Sequence, residues 1–137
     1  MKKIIFILLC VFTFSATLFA QQNTSDDPIG KAFFSPELVM QNQQAIGLTE
    51  TQRASIQKEM QSAQSEFMTL QWDMQKESEK LKALVEKDNP AEAEVTAQLD
   101  RLLSLENKVK HRQITLLVRI KNSLTAGQQA KLRKIIK

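Results

Sequence analysis

Past residue 10 the sequence holds no cysteine, and it holds no tyrosine anywhere. Everything after Cys10 is therefore barred from disulfides, thiolate nucleophiles and cysteine-ligated zinc, and packing alone must hold it together. Glycine and proline number three each, while Gln, Glu, Lys, Leu and Ala dominate, which is the composition of helix formers. Histidine occurs once, at His111, with Lys108, Lys110 and Arg112 around it. Those cations repel a divalent ion and no second histidine lies one turn away, so no metal site is expected. No Ser-His-Asp arrangement and no phosphate loop occurs, which argues against an enzyme and against a bound cofactor. Acid is also missing from one end: after Glu106 there is none, while Lys108, Lys110, Arg112, Arg119, Lys121, Lys131, Arg133, Lys134 and Lys137 follow.

The chain opens with Lys2 and Lys3, then an almost unbroken apolar run from Ile4 to Phe14, then a small residue at Ala20 ahead of Gln21 and Gln22. This is the pattern of a secretory signal peptide over residues 1–20, with a retained anchor as the alternative. Leu9 stands where a lipoprotein signal needs a small residue before cysteine, so Cys10 reads as one more apolar residue of that segment. Nothing later approaches the roughly 18 consecutive apolar residues that a membrane helix needs. A periplasmic location follows, with no stable membrane insertion once the signal is removed and no nucleic acid within reach. Residues 21–34 are polar and aperiodic, with Pro28 and Gly30, and read as a leader.

Residues 35–137 read as one helical domain. Ser35 and Pro36 form an N-cap and first helical position, and Gly47 is placed to end that helix after Ile46. Thr49 and Gln52 make a capping box for a second, long helix running to about Lys87. Its residues Ile56, Met60, Ala63, Phe67, Leu70 and Met74 step by four and three, and the series resumes at Leu81 and Leu84. Asp88-Asn89-Pro90 breaks the pattern, and Asn89, Pro90 and Glu92 predict the start of a third helix. Its seam runs through Val95, Leu99, Leu102, Glu106, Val109, Gln113, Leu116 and Ile120.

So short a turn makes the two long helices antiparallel neighbours. Residues whose numbers sum to about 180 then face each other, pairing Leu81 with Leu99 and Met60 with Ile120. The basic half of the third helix comes to lie beside Glu59, Glu66 and Asp73. A second Thr-x-x-Gln box at Thr125 and Gln128 starts a last helix, at the same end of the hairpin as the first box. The third helix is apolar nearly all round from Ile114 to Ile120, and a helix with several apolar sides needs several neighbours. The expected fold is all-α, a long antiparallel hairpin with short flanking helices, and a homodimer is the economical cover for what they leave exposed.

Leu48, Thr49 and Gln52 before the hairpin, and Leu124, Thr125 and Gln128 after it, spell Leu-Thr-x-x-Gln twice. In this the chain resembles the CpxP/Spy family and the related heavy-metal-resistance group of CnrX and ZraP, over roughly residues 35–137. The resemblance implies a cradle-like dimer of bent hairpins. It also implies ATP-independent chaperone or stress-adaptor work on a concave, mixed basic and apolar surface. Members of that family hold unfolded envelope proteins, damp an envelope sensor kinase, or bind metal, and all three roles stay open, metal being disfavoured by the lone His111.

Two further groups of residues are candidates for contact. Met68 and Trp72 lie four residues apart and off the seam, either covered by a flanking helix or second subunit, or open to a client or partner. Lys108, Arg112 and Arg119 would attract acidic clients, or only balance the acids of the preceding helix. For the two boxes the physical role is capping, with direct client contact the alternative.

Overall fold

The structure, a computed structural model, describes residues 32–136. The expected signal segment and the leader up to residue 31 lie outside the described residues. Five helices make up the domain: α1 (Pro36–Gln41), α2 (Gln43–Ile46), α3 (Glu50–Val85), α4 (Glu92–Ser123) and α5 (Ala126–Ile136). No strand occurs among the described residues. At 1.5 Å per residue α3 is about 54 Å long and α4 about 48 Å. They pack along each other as the expected hairpin.

Local chemistry explains most boundaries. The Ser35 hydroxyl accepts from the Leu38 amide at 3.2 Å, and Pro36 takes the first helical position. Gly47 adopts φ 68°, and the amides of Gly47 and Leu48 donate to the carbonyls of Gln44 and Gln43 at 3.1 and 2.8 Å. These two bonds close a Schellman turn, which requires a left-handed residue and so favours glycine.

Three expectations need correction. The helix expected from Pro36 to Ile46 is broken at Asn42 (φ −104°, ψ 16°), whose side-chain amide donates to the Leu38 carbonyl at 2.8 Å. The Leu38 carbonyl also accepts from the Asn42 backbone amide at 3.2 Å, so side chain and main chain of Asn42 share one acceptor, a local bond that competes with the regular helix ladder. The third helix starts at Glu92, not at Pro90, and its cap is Ala91, which has no side-chain oxygen to offer. Glu92 and Glu94 in its first turn compensate in part through the helix dipole. Leu99 does not fill the seam. Gln98 does, buried, with its amide donating to the Glu77 backbone carbonyl at 2.9 Å and to its carboxylate at 2.6 Å.

The apolar core lies entirely at the end of the hairpin away from the α3–α4 turn. Phe34, Val39, Ile46, Ile56, Ala63, Leu116, Ile120, Leu124 and Leu132 form it, with Leu38, Met40, Leu48, Met60 and Phe67 packed against it. Leu48 and Leu124 of the two boxes are thus drawn into one cluster. The rest of the hairpin is two helices wide.

Candidate functional site

The two boxes cap their helices and also lock to each other. Thr49 Oγ1 accepts from the Gln52 amide at 3.2 Å while Gln52 Oε1 accepts from the Thr49 amide at 3.0 Å. Thr125 and Gln128 repeat this at 3.2 and 2.9 Å. The two glutamines then exchange hydrogen bonds, each Nε2 donating to the other's Oε1 at 2.9 Å. Their remaining donors reach main chain: Gln52 to Ser123 O at 2.7 Å and Gln128 to Gly47 O at 3.0 Å. Each amide is fully satisfied, and the arrangement is pseudo-twofold. In each box the acceptor carbonyl precedes its own glutamine by five residues, and that repeated spacing was the available sequence signal. The cross-link itself is a long-range contact that neither box discloses alone.

A charged groove runs along one flank of the hairpin. From α4 it is lined by Lys108, His111 and Thr115, and from α3 by Ser65, Glu66 and Thr69. Arg112 lies at its floor, only 8% exposed. Arg112 Nε stands 2.6 Å from Glu66 Oε2, off the hydrogen-bond direction, and Nη2 donates to Ser62 Oγ at 3.3 Å. Nη1 is buried with no hydrogen-bond partner. Arg119 donates to Glu59 at 2.9 Å. Of the two readings left open for Arg112, contact with acidic clients is corrected by its burial: it balances the acids of the preceding helix as an internal tie between α3 and α4, because the register sets Glu59 and Glu66 opposite it. Arg119 is exposed but paired, and Lys108 is exposed at the groove edge.

Farther along this flank, hydrogen bonds from the Lys80 ammonium and the Gln98 amide hold the Glu77 carboxyl below its ordinary value of 4.5. This anchors the narrow part of the hairpin.

Apolar side chains gather elsewhere. Leu99, Leu103, Ile114 and Val118 are exposed, and at about 100° per residue they fall within a single arc of α4 that borders the groove at His111. Met68 and Trp72 are 56% and 62% exposed, so neither α1 nor α5 covers them. Trp72 sits about 160° round α3 from Ile56, on the outer side of the helix. The expected contact residues thus do not converge on one surface. Met68 and Trp72 face outward from α3, Lys108 and Arg119 edge the groove, and Arg112 is inside.

Among the described residues no three His, Cys, Asp or Glu side chains come together to hold an ion. His111 is exposed on α4, one helical turn or less from Lys108 and Arg112. Among the described residues no helix is long and apolar enough to cross a membrane.

These features define an all-helical hairpin protein whose helix starts are clamped together by twin capping glutamines. The family model described as heavy-metal resistance matches residues 7–131. The chain belongs to that family. No curated protein and no solved structure gives a significant match.

Proposed function

We propose that this chain is a periplasmic binding protein that holds unfolded segments of envelope proteins without ATP, and that it is not an enzyme. The observation that carries this reading is the exposed apolar arc of Leu99, Leu103, Ile114 and Val118 along the outside of α4. Exposed apolar side chains aligned on one side of a helix offer contact to apolar segments. Lys110, on the same arc of α4, adds attraction for acidic clients. Met68 and Trp72 supply a second, adaptable apolar patch on the outer side of α3. A homodimer would cover part of this surface, and docking on a sensor kinase would use the same side chains. The resemblance of the two Leu-Thr-x-x-Gln boxes to those of the CpxP/Spy family supports both uses.

Light scattering from an aggregating, chemically unfolded client tests the proposal. Suppression at a few-fold molar excess is the expected result, weakened by Leu103→Ser with Ile114→Ser. No suppression by the parent protein would overturn it.

Membership of the heavy-metal resistance family favours a second reading, direct metal handling. The scattered carboxylates and the cation-flanked His111 do not fit it. Calorimetric titration with zinc, copper and nickel decides between the two: stoichiometric binding, abolished by His111→Ala, would establish a site.

A further inference from the structure

The last turn of α5 is built unlike the rest of the helix. Leu132, Ile135 and Ile136 share its inner face, since steps of three and four residues return to one side. Leu132 is fully buried in the core, but Ile135 and Ile136 are 46% and 55% exposed, because the stripe runs on past the end of the core. Lys131 and Lys134 flank them and are exposed. Arg133 lies over the ring of Phe34 at 5.8 Å, and Lys121 over Phe33 at 5.4 Å.

Among the described residues Lys131, Arg133 and Lys134 form no ion pair. α5 carries Lys131, Arg133 and Lys134 and no acidic residue, and α2, which packs against it, has no charge at all. The α2–α5 surface therefore has an apolar end ringed by charge of one sign.

We propose that this end of α5 rests on the surface of an anionic lipid bilayer, with Ile135 and Ile136 among the acyl chains near the headgroups and Lys131 and Lys134 against the phosphates. Apolar residues on one side of a helix and lysine or arginine on the other are what a helix lying in the interface needs. A second copy of the chain is a poor occupant. Across a twofold axis the same patch meets itself, and lysines would then face lysines. With two apolar side chains and a few cations the attachment is weak and reversible.

Cosedimentation with vesicles tests this. The purified protein is mixed with vesicles of phosphatidylcholine alone, or of phosphatidylcholine and phosphatidylglycerol in equal amounts. Lys2, Lys3 and the apolar run Ile4 to Phe14 also favour anionic vesicles, but parent and variants share them, so the signal is the parent's binding to the anionic vesicles less that of each variant. The expected result is a clear excess at low salt that falls as salt shortens the reach of the charges. Lys131→Gln with Lys134→Gln should lower the partition roughly fivefold per cation removed. Ile135→Ser with Ile136→Ser should lower it about tenfold or more. Both pairs are exposed, so helix content should persist; were either pair to unfold the chain, the single changes Lys134→Gln and Ile136→Ser carry the same comparison with the parent. Equal binding to both vesicles, or no binding, overturns the proposal. So does an unchanged partition for the folded isoleucine variant, or sedimentation equilibrium showing that this variant splits a dimer instead.

Discussion

Replacing Gln128 by alanine tests whether the paired boxes stabilise the domain as one unit. The substitution deletes four hydrogen bonds: those joining Gln128 to the Thr125 amide, to the Gly47 carbonyl, and in both directions to Gln52. At about 1 kcal/mol net for each, the ceiling is about 4 kcal/mol. Gly47 and Thr125 are exposed and can be rehydrated, which lowers the expected loss to about 2–3 kcal/mol. For a domain of this size that is a fall in Tm of roughly 10 °C or more. Two of the four bonds are shared with Gln52, so Gln52→Ala with Gln128→Ala should cost less than the sum of the single changes, by about 1–2 kcal/mol. Urea unfolding followed by far-ultraviolet circular dichroism measures all four corners of the cycle. Additivity to within about 0.5 kcal/mol, or a near-neutral Gln128→Ala, would refute the idea of a joined clamp.

Three other outcomes follow from particular contacts. Ala91→Ser gives α4 the side-chain cap it lacks and should stabilise by about 1 kcal/mol, read as a higher Tm; an unchanged midpoint would show that Ala91 is not the cap. Glu66→Ala strips the nearest charge from buried Arg112 and should destabilise by about 1–3 kcal/mol, whereas Arg112→Met, which removes the buried charge itself, should cost less; the reverse order in denaturation would count against an internal tie. The depressed Glu77 carboxyl stabilises the fold once pH is above its unfolded value, and that contribution is lost as pH falls through its lower folded value. Acid titration of stability should therefore show a loss below about pH 4.5 that is smaller in Glu77→Gln, and identical curves would remove Glu77 from the account.

Period and capping chemistry made the hairpin legible in the sequence. The four-and-three spacing from Ile56 to Met74, the Ser35 and Thr49 caps, and Gly47 all act within a few residues, where composition speaks directly. What escaped were choices between neighbours. Gln98 rather than Leu99 faces inward because its amide finds two acceptors on Glu77, a partner supplied by the other helix. The register had already set Arg112 beside Glu59 and Glu66, and what it left unseen was the burial of the guanidinium. Asn42 and Ala91 show the limit of capping rules: an asparagine interrupted a helix from within, and an alanine began one where asparagine and proline stood nearby. The candidate contact residues were chosen by type and wheel position, and only Lys108, Met68 and Trp72 lie both exposed and without an intramolecular ion pair.

The crowding of the core at one end has a mechanical consequence. From Ala63 and Leu116 onward, about 30 Å of paired helix projects with only a single seam to hold it. Opening of that arm need not cost the full unfolding free energy, so its amides should exchange with solvent faster toward the Asp88–Asn89–Pro90 tip while the head stays shut. A protein so built can let its reaching end breathe and reseal many times without ever losing its fold.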